Sequence, residues 1–137
     1  MKIYFAGSIR GGRENNEEYF KMIQHLKQYG DVLSEHVGAK TIDDLGEKNL
    51  TDEYIFERDV NWVKEADVVI AEVSTPSLGV GYELRLAEEL NKKILCLFRD
   101  TGEKKLSAMI SGNNKLIIKE YKTTEDCFNL IDKFLTK

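Results

Sequence analysis

An apolar run lies near the middle of the chain, at residues 67–73 (DVVIAEV), and it limits the possible folds. A strand that is apolar at nearly every position has both faces buried, as the strands of parallel sheets do. Runs 2–6 (KIYFA) and 93–98 (KILCLF) have the same character, and segments with helical spacing lie between the three runs. Strands that alternate with helices predict an α/β protein whose parallel sheet is covered by helices on both faces.

Weaker hydrophobic patterns predict the outer strands and the helices. We expect strands at 31–37 and 115–119, and helices over 14–29, 51–66, 80–91 and 124–135. Gly30 is placed to end the first helix as its C′ residue, Thr51 to cap the second, and Thr123 or Thr124 to cap the last. Segment 40–50 is polar and has no clear period. The pattern therefore predicts three layers around a five-stranded parallel sheet.

Length and charge limit the class of protein. The chain has 137 residues, and 20 basic against 24 acidic side chains give a formal net charge of −4. That length fits one domain, 1–137, and the mild acidity argues against a protein that coats nucleic acid or an anionic membrane. We expect neither a secretory signal nor a membrane span, because the apolar runs are too short. Cys96 and Cys127 lie apart in apolar surroundings, as reduced core thiols do, so we expect a cytoplasmic protein.

The first candidate binding loop is 7–13 (GSIRGGR), which follows the first strand. Ligands of open parallel sheets bind beyond the carboxyl ends of the strands, where this loop lies. Its glycines allow close backbone approach, Ser8 offers a hydroxyl, and Arg10 and Arg13 offer guanidinium groups beside a helix N-terminus. The loop is neither a P-loop nor a dinucleotide fingerprint. On residue types alone, a phosphate cradle and a flexible turn with solvated arginines fit equally well.

The second candidate region combines loop 74–83 (STPSLGVGYE) with two acids in apolar helix stripes. Glu83 and Asp59 each fall among residues that should face inward. The apolar neighbours are Val80, Ala87 and Leu90 around Glu83, and Ile55, Trp62, Val63 and Ala66 around Asp59. Either acid alone fits the edge of a stripe, but a buried acid is costly unless it is paired or functional. Two such acids near one edge of the sheet indicate paired carboxylates of the kind that glycosyl transfer uses.

Other polar residues carry less weight. His36 ends the second predicted strand and is placed to line the crevice, although a hydrogen-bonded structural histidine is the commoner case. We expect His25 to be solvated, and Asp67 and Glu72 to cap the ends of the strand at 67–73. No histidine and cysteine cluster has metal-ligand spacing, so we predict no bound metal.

Six segments, in order along the chain, resemble the nucleoside 2-deoxyribosyltransferase family, and within it the enzymes that hydrolyse 2′-deoxynucleoside 5′-phosphates. They are 4–13 (YFAGSIRGGR), 34–37 (SEHV), 66–73 (ADVVIAEV), 76–84 (PSLGVGYEL), 92–98 (KKILCLF) and 106–110 (LSAMI). The blocks GSIRGGR and SLGVGYEL are the most specific. Arg85 stands where the family often has glycine, and segment 40–55 matches poorly, which leaves the base preference undefined.

The resemblance implies a Rossmann-like fold, a homodimer, and hydrolysis of the N-glycosidic bond of a deoxynucleoside monophosphate. This chemistry needs no metal or redox cofactor. Matching positions make Glu83 the nucleophile on C1′, Asp59 the residue that assists the leaving base, and Tyr4 the residue that holds the nucleophile. The residues expected to bind substrate and phosphate are Ser8, Ile9, Arg10, Gly11, Gly12, His36, Ser77 and Gly79, with Ser107 contributed by the partner subunit.

Three alternative functions remain open at this point. A deoxyribosyltransferase would move the sugar between bases, but it should favour unphosphorylated nucleosides, against which the arginine loop argues. A ribonucleotide N-glycosidase acting on CMP would differ only in whether the pocket admits a 2′-hydroxyl. A non-catalytic nucleotide-binding module would keep the phosphate cradle, yet it would gain nothing from two inward-facing acids.

Overall fold

The computed structural model describes residues 1–9, 16–38 and 50–137. In this part of the chain five strands form one parallel sheet in the order β2-β1-β3-β4-β5. The strands are β1 (Lys2–Ala6), β2 (Asp31–Val32), β3 (Val68–Glu72), β4 (Lys93–Arg99) and β5 (Ile117–Tyr121). The helices are α1 (Asn16–Leu26), α2 (Asp52–Glu65), α3 (Leu78–Glu89), α4 (Ala108–Ser111) and α5 (Thr124–Leu135). The prediction of a Rossmann-like three-layer fold with a five-stranded parallel sheet is confirmed.

The sheet separates two hydrophobic cores, because successive side chains of a strand point to opposite faces. On one face, Ile3 and Phe5 of β1 pack with buried residues of α1 and α5. On the other face, Tyr4 and Ala6 pack with residues of α2 and α3. The alternation therefore places Tyr4 in the layer that contains both predicted catalytic acids. None of the described helices has the length and apolar character needed to span a bilayer.

Side-chain caps explain where three of the helices begin. Thr51 precedes α2, Ser77 precedes α3 and Thr123 precedes α5, and each side chain accepts a hydrogen bond from the backbone N–H three residues further on. Such a cap stabilises a helix by about 1 kcal/mol. The predicted caps at Thr51 and Thr123 are confirmed, and α5 has the predicted bounds, 124–135.

The second strand is shorter than predicted. Only Asp31–Val32 pair with β1, and the chain then turns into a 3₁₀ turn at Glu35–Gly38, so a strand over 31–37 is wrong. The buried side chain of Ser34 explains the difference. Its Oγ accepts from the Phe5 N–H at 2.8 Å and donates to the Phe5 carbonyl at 2.7 Å. A serine side chain thus takes the place of the next backbone pair of the ladder.

Two other predicted details are also wrong. The fifth strand begins at Ile117 rather than 115, since a turn closed by the Leu116 N–H to the Asn113 carbonyl precedes it. Gly30 does not form a C′ cap, because α1 ends at Leu26. A Cβ at Gly30 would lie 2.0 Å from the Met1 carbonyl oxygen, so glycine is needed there for close packing. The predicted polar segment 40–50 lies outside the described residues except for its last position.

Candidate active site

Glu83 lies on α3, on the flank that faces β1 and α2. The helix packs on the sheet through Val80, Leu84 and Ala87, which are buried. This packing brings the Glu83 carboxyl to the Tyr4 hydroxyl, which donates a hydrogen bond to it. Tyr4 is only 2% exposed, so the pair joins the helix to an interior strand of the sheet. Leu90, which was predicted to share the inward stripe, is exposed at the end of α3.

Burial dominates the acidity of this pair. It raises the pKa of Glu83 to about 7, while the Tyr4 hydrogen bond opposes the increase and the charge of Asp59 adds to it. Burial also raises the pKa of Tyr4 far above its ordinary value, and the charges of Glu83 and Asp59 raise it further. Tyr4 therefore keeps its proton and acts as a hydrogen-bond donor. A carboxyl with a pKa near neutrality is typical of an active site.

Asp59 reaches the same region from α2. Arg58 Nε donates to Asp59 Oδ1 at 2.9 Å, and both side chains are largely buried. The Arg58 guanidinium also lies 4.8 Å from the centre of the Trp62 ring, and its Nη2 is 3.2 Å from His36 Nε2. The structure thus places His36 in a 3₁₀ turn against the α2 residues around Asp59, rather than at the end of a strand.

Sequence reasoning missed exposed aromatic side chains on the two helices that carry the acids. Tyr54, Phe56 and Tyr82 are each more than half exposed, and the rings of Phe56 and Tyr82 meet edge to face with centres 5.9 Å apart. The spacing of Tyr54, Arg58 and Trp62 at every fourth residue places them on one side of α2, and this spacing was the available signal for Tyr54 alone. Flat apolar surfaces of this kind suit a planar ring of a ligand.

The start of the predicted phosphate loop is buried at the carboxyl end of β1. The Ser8 N–H donates to the Tyr19 hydroxyl at 3.1 Å, and a Cβ at Gly7 would come within 2.8 Å of the Tyr19 ring. Tyr19 on α1 therefore supports the start of the loop through this hydrogen bond, and its ring leaves room only for glycine at position 7. Ile9 packs against the core between α1 and α5. The rest of the predicted cradle lies outside the described residues: Arg10, Gly11, Gly12 and Arg13.

A groove of about 1030 Å³ lies on the flank of α3 opposite Glu83. It runs between the loop after β3, α3 and the segment that contains α4, and Ser77 and Ser107 both line it. Leu78 and Met109 project at its rim with 97% and 83% of their surfaces exposed. Gly79 is exposed in the first turn of α3. The short helix α4, which sequence reasoning missed, begins after Ser107, whose Oγ accepts from the Met109 N–H at 3.3 Å.

The two cysteines are free and buried, as predicted. Burial raises the pKa of Cys96 and of Cys127 to about 12, so both thiols stay protonated and unreactive. Across residues 1–9, 16–38 and 50–137, no three histidine, cysteine, aspartate or glutamate side chains are grouped so that they could hold a metal ion.

His25 is not solvated, contrary to the prediction. Its ring stacks on Phe128 with centres 4.1 Å apart, and its Nε2 lies 2.6 Å from Asp132 Oδ1. The Tyr29 hydroxyl donates to the same oxygen at 2.5 Å. α5 packs across α1 at this point, and this packing covers a histidine that helical spacing alone places on an outer face.

Two acids of which one has a raised pKa are typical of enzymes that hydrolyse glycosyl bonds, and this Rossmann-like protein has such a pair beside a phenol donor. The sequence model of the nucleoside 2-deoxyribosyltransferase family matches residues 3–127, and the chain belongs to this family.

Relatives and a solved structure extend this comparison. The chain is 48% identical over 125 residues to 5-hydroxymethyl-dUMP N-hydrolase of Tetraodon nigroviridis, with 88% of each chain covered. It is 52% identical over 140 residues to a Nematostella vectensis protein with the provisional name 2′-deoxynucleoside 5′-phosphate N-hydrolase 1, covering 98% and 94% of the two chains. The Clostridium botulinum CMP N-glycosidase BcmB shares the fold, with a TM-score of 0.69, 17% identity, and 96% and 99% coverage.

Proposed function

We propose that this protein hydrolyses the N-glycosidic bond of 2′-deoxynucleoside 5′-monophosphates to give the free base and 2-deoxyribose 5-phosphate. The observation that carries the proposal is the hydrogen-bonded pair of Tyr4 and Glu83 beside Asp59. The names of the relatives at about 50% identity support the substrate class.

The proposed reaction has two steps. In the first, the Glu83 carboxylate forms a bond to C1′ as the C1′–N bond breaks, and the bonding electrons leave with the base, which takes a proton from solvent water while Asp59 assists its departure. In the second, water attacks C1′ of the glycosyl ester, its proton passes through the Asp59 carboxylate to solvent, and the Glu83 carboxylate is released. Two moderate barriers replace one high barrier. Tyr4 holds the Glu83 carboxyl in the attacking orientation.

The proposed binding residues anchor the part of the substrate that does not react. Ser8 and Ile9 begin the loop that would hold the 5′-phosphate, and Tyr19 supports that loop at the Ser8 N–H. Binding energy from a remote phosphate can orient C1′ against the nucleophile. The remaining proposed contacts are Arg10, Gly11, Gly12, His36, Ser77 and Gly79.

The protein is also proposed to work as a homodimer in the cytoplasm. The apolar groove beside α3 and the almost fully exposed Leu78 and Met109 support a covered face, because large exposed apolar patches mark interaction sites. In the dimer, Ser107 of the partner subunit would approach the phosphate. The two buried free thiols support a reducing compartment.

A substrate panel tests the proposed function. We would incubate the protein with 5-hydroxymethyl-dUMP, dGMP, dCMP, CMP and the unphosphorylated deoxynucleosides, and score free base by chromatography. We expect base release from the deoxynucleoside monophosphates and little from CMP or the nucleosides. The absence of base release from every deoxynucleoside monophosphate would refute the proposal, and a new nucleoside formed with an added second base would show a transferase instead.

A further inference from the structure

One buried acid has no place in the reaction described above. Glu72 is the last residue of β3 and is 3% exposed. It lies two positions after Ile70 and therefore on the face covered by α1 and α5, opposite the face that holds Glu83. A carboxyl buried this deeply lowers stability unless it is fully hydrogen-bonded or serves a function.

The carboxyl of Glu72 joins the ends of three neighbouring strands. The Ser74 N–H donates to its Oε1 at 2.7 Å, and the Ser74 hydroxyl donates to its Oε2 at 2.9 Å. The Tyr121 hydroxyl, at the end of β5, donates to the same Oε2. Ser74 Oγ in turn accepts from the backbone N–H of Arg99, the last residue of β4, at 2.8 Å. In all three hydrogen bonds to the Glu72 carboxyl the partner is the donor. The ionised carboxylate, which only accepts, therefore satisfies them best.

Ser74 and Arg99 are the two positions that the Glu72 network holds, and each begins a segment that leads to the groove. Ser74 starts the loop that reaches Ser77, the cap of α3. Arg99 starts the segment that reaches Ser107, the cap of α4. Both serines line the groove beside α3. A single carboxylate thus fixes the starting points of both serine-bearing segments.

Glu72 also lies near the support of the phosphate loop. Tyr19 accepts a hydrogen bond from the Ser8 N–H. Burial raises the pKa of Tyr19, and the negative charge of Glu72 raises it further. Burial raises the pKa of Glu72 itself, while its hydrogen bonds to Tyr121 and Ser74 and the charge of Arg99 lower it.

We infer that Glu72 is a positioning residue for recognition of the 5′-phosphate, acting through Ser74 and Arg99 on the segments that carry Ser77 and Ser107. The inference rests on the proposed function. The Glu83 carboxyl is held on the other face of the sheet by Tyr4, which is not part of the Glu72 hydrogen-bond network. Loss of the Glu72 carboxylate should therefore weaken binding of the phosphorylated substrate and leave the chemical step almost unchanged.

The test compares Glu72→Gln with wild type in steady-state base release from a deoxynucleoside monophosphate. We expect KM to rise about tenfold and kcat to stay within about threefold, the pattern of lost uniform binding. Tyr121→Phe removes one of the three hydrogen bonds and should raise KM by a smaller factor. Asp132→Asn is the matched control, because Asp132 also accepts from a tyrosine hydroxyl but lies in the last turns of α5. It should leave KM unchanged.

Calorimetric binding of 2-deoxyribose 5-phosphate separates failure of this inference from failure of the proposed function. Glu72→Gln should weaken that binding about tenfold, the same factor as the rise in KM. A wild-type protein that releases no base refutes the proposed function, and the binding comparison then still tests Glu72. Unchanged KM and unchanged binding in Glu72→Gln overturn the inference. A fall in kcat as large as the rise in KM also overturns it, since that result indicates general damage to the fold.

Discussion

Burial sets the pH at which the proposed nucleophile Glu83 is ionised, and the hydrogen bond from Tyr4 partly opposes its effect. Burial raises the pKa of Glu83 to about 7, and only the carboxylate can attack C1′. We therefore expect kcat/KM to increase as the pH rises through about 7, in a pH–rate profile of base release. A profile that is flat between pH 5 and pH 8 would contradict this assignment.

The rise of kcat/KM through about pH 7 is the acid limb of the pH–rate profile. Substitutions of Tyr4 and of Asp59 should move this limb in opposite directions. Tyr4→Phe removes the hydrogen bond that lowers the pKa of Glu83, so the limb should move to higher pH. Asp59→Asn removes the charge that raises the pKa of Glu83, so the limb should move to lower pH. The residual activity of each variant, followed across pH, gives both midpoints. Shifts of the same sign would show that these two residues do not tune Glu83 as described.

The raised pKa also makes Glu83 costly to the fold. A carboxyl whose pKa is higher in the folded state than in the unfolded state binds more protons when folded, so its contribution to stability falls as the pH rises from about 4.5 to about 7. Glu83→Gln removes this cost and should stabilise the protein at pH 8 by up to about 3 kcal/mol. At pH 5 the gain should largely disappear. Urea unfolding at both pH values measures it, and a variant less stable than wild type at pH 8 would contradict the account.

At the scale of elements, the side chain of Ser34 ends the pairing of β2 with β1. Ser34→Ala leaves the buried N–H and carbonyl of Phe5 without partners. We expect a loss of about 1 to 3 kcal/mol in the free energy of unfolding, measured in urea. Ser111→Ala, on the exposed end of α4, serves as the control and should change little. Equal stabilities for the two variants would show that Ser34 does not close the ladder.

The elements also show what the sequence could predict. The apolar run of β3 and the cap and periodicity of α5 are local signals, and both elements were predicted within one residue at each end. The end of β2 depends on Ser34 bonding to a strand 29 residues away, which no local pattern contains. In the candidate site, the inward position of Glu83 followed from helical spacing. The Arg58 contacts with His36 and Trp62 required the packing of a 3₁₀ turn against α2.

For the whole molecule, the exposed apolar rim of the groove predicts self-association. Leu78→Glu places a charge at the proposed interface and should convert a dimer to a monomer in sedimentation equilibrium. Phe20→Glu is the control, because Phe20 is an exposed apolar residue on α1, on the opposite side of the sheet. If Ser107 of the partner subunit contacts the phosphate, the Leu78→Glu monomer should also show a higher KM. A wild-type monomer would refute the dimer.

The proposal that Glu83 is the nucleophile of an N-glycosidic hydrolysis is tested by the rate of base release from a deoxynucleoside monophosphate, measured for wild type and for Glu83→Gln. Both proteins would be compared at pH 8, where the wild-type carboxyl is ionised. We expect a loss of about 10³-fold or more in kcat for Glu83→Gln, with the variant folded and at least as stable as wild type. A Glu83→Gln protein whose kcat stays within about tenfold of wild type would contradict it.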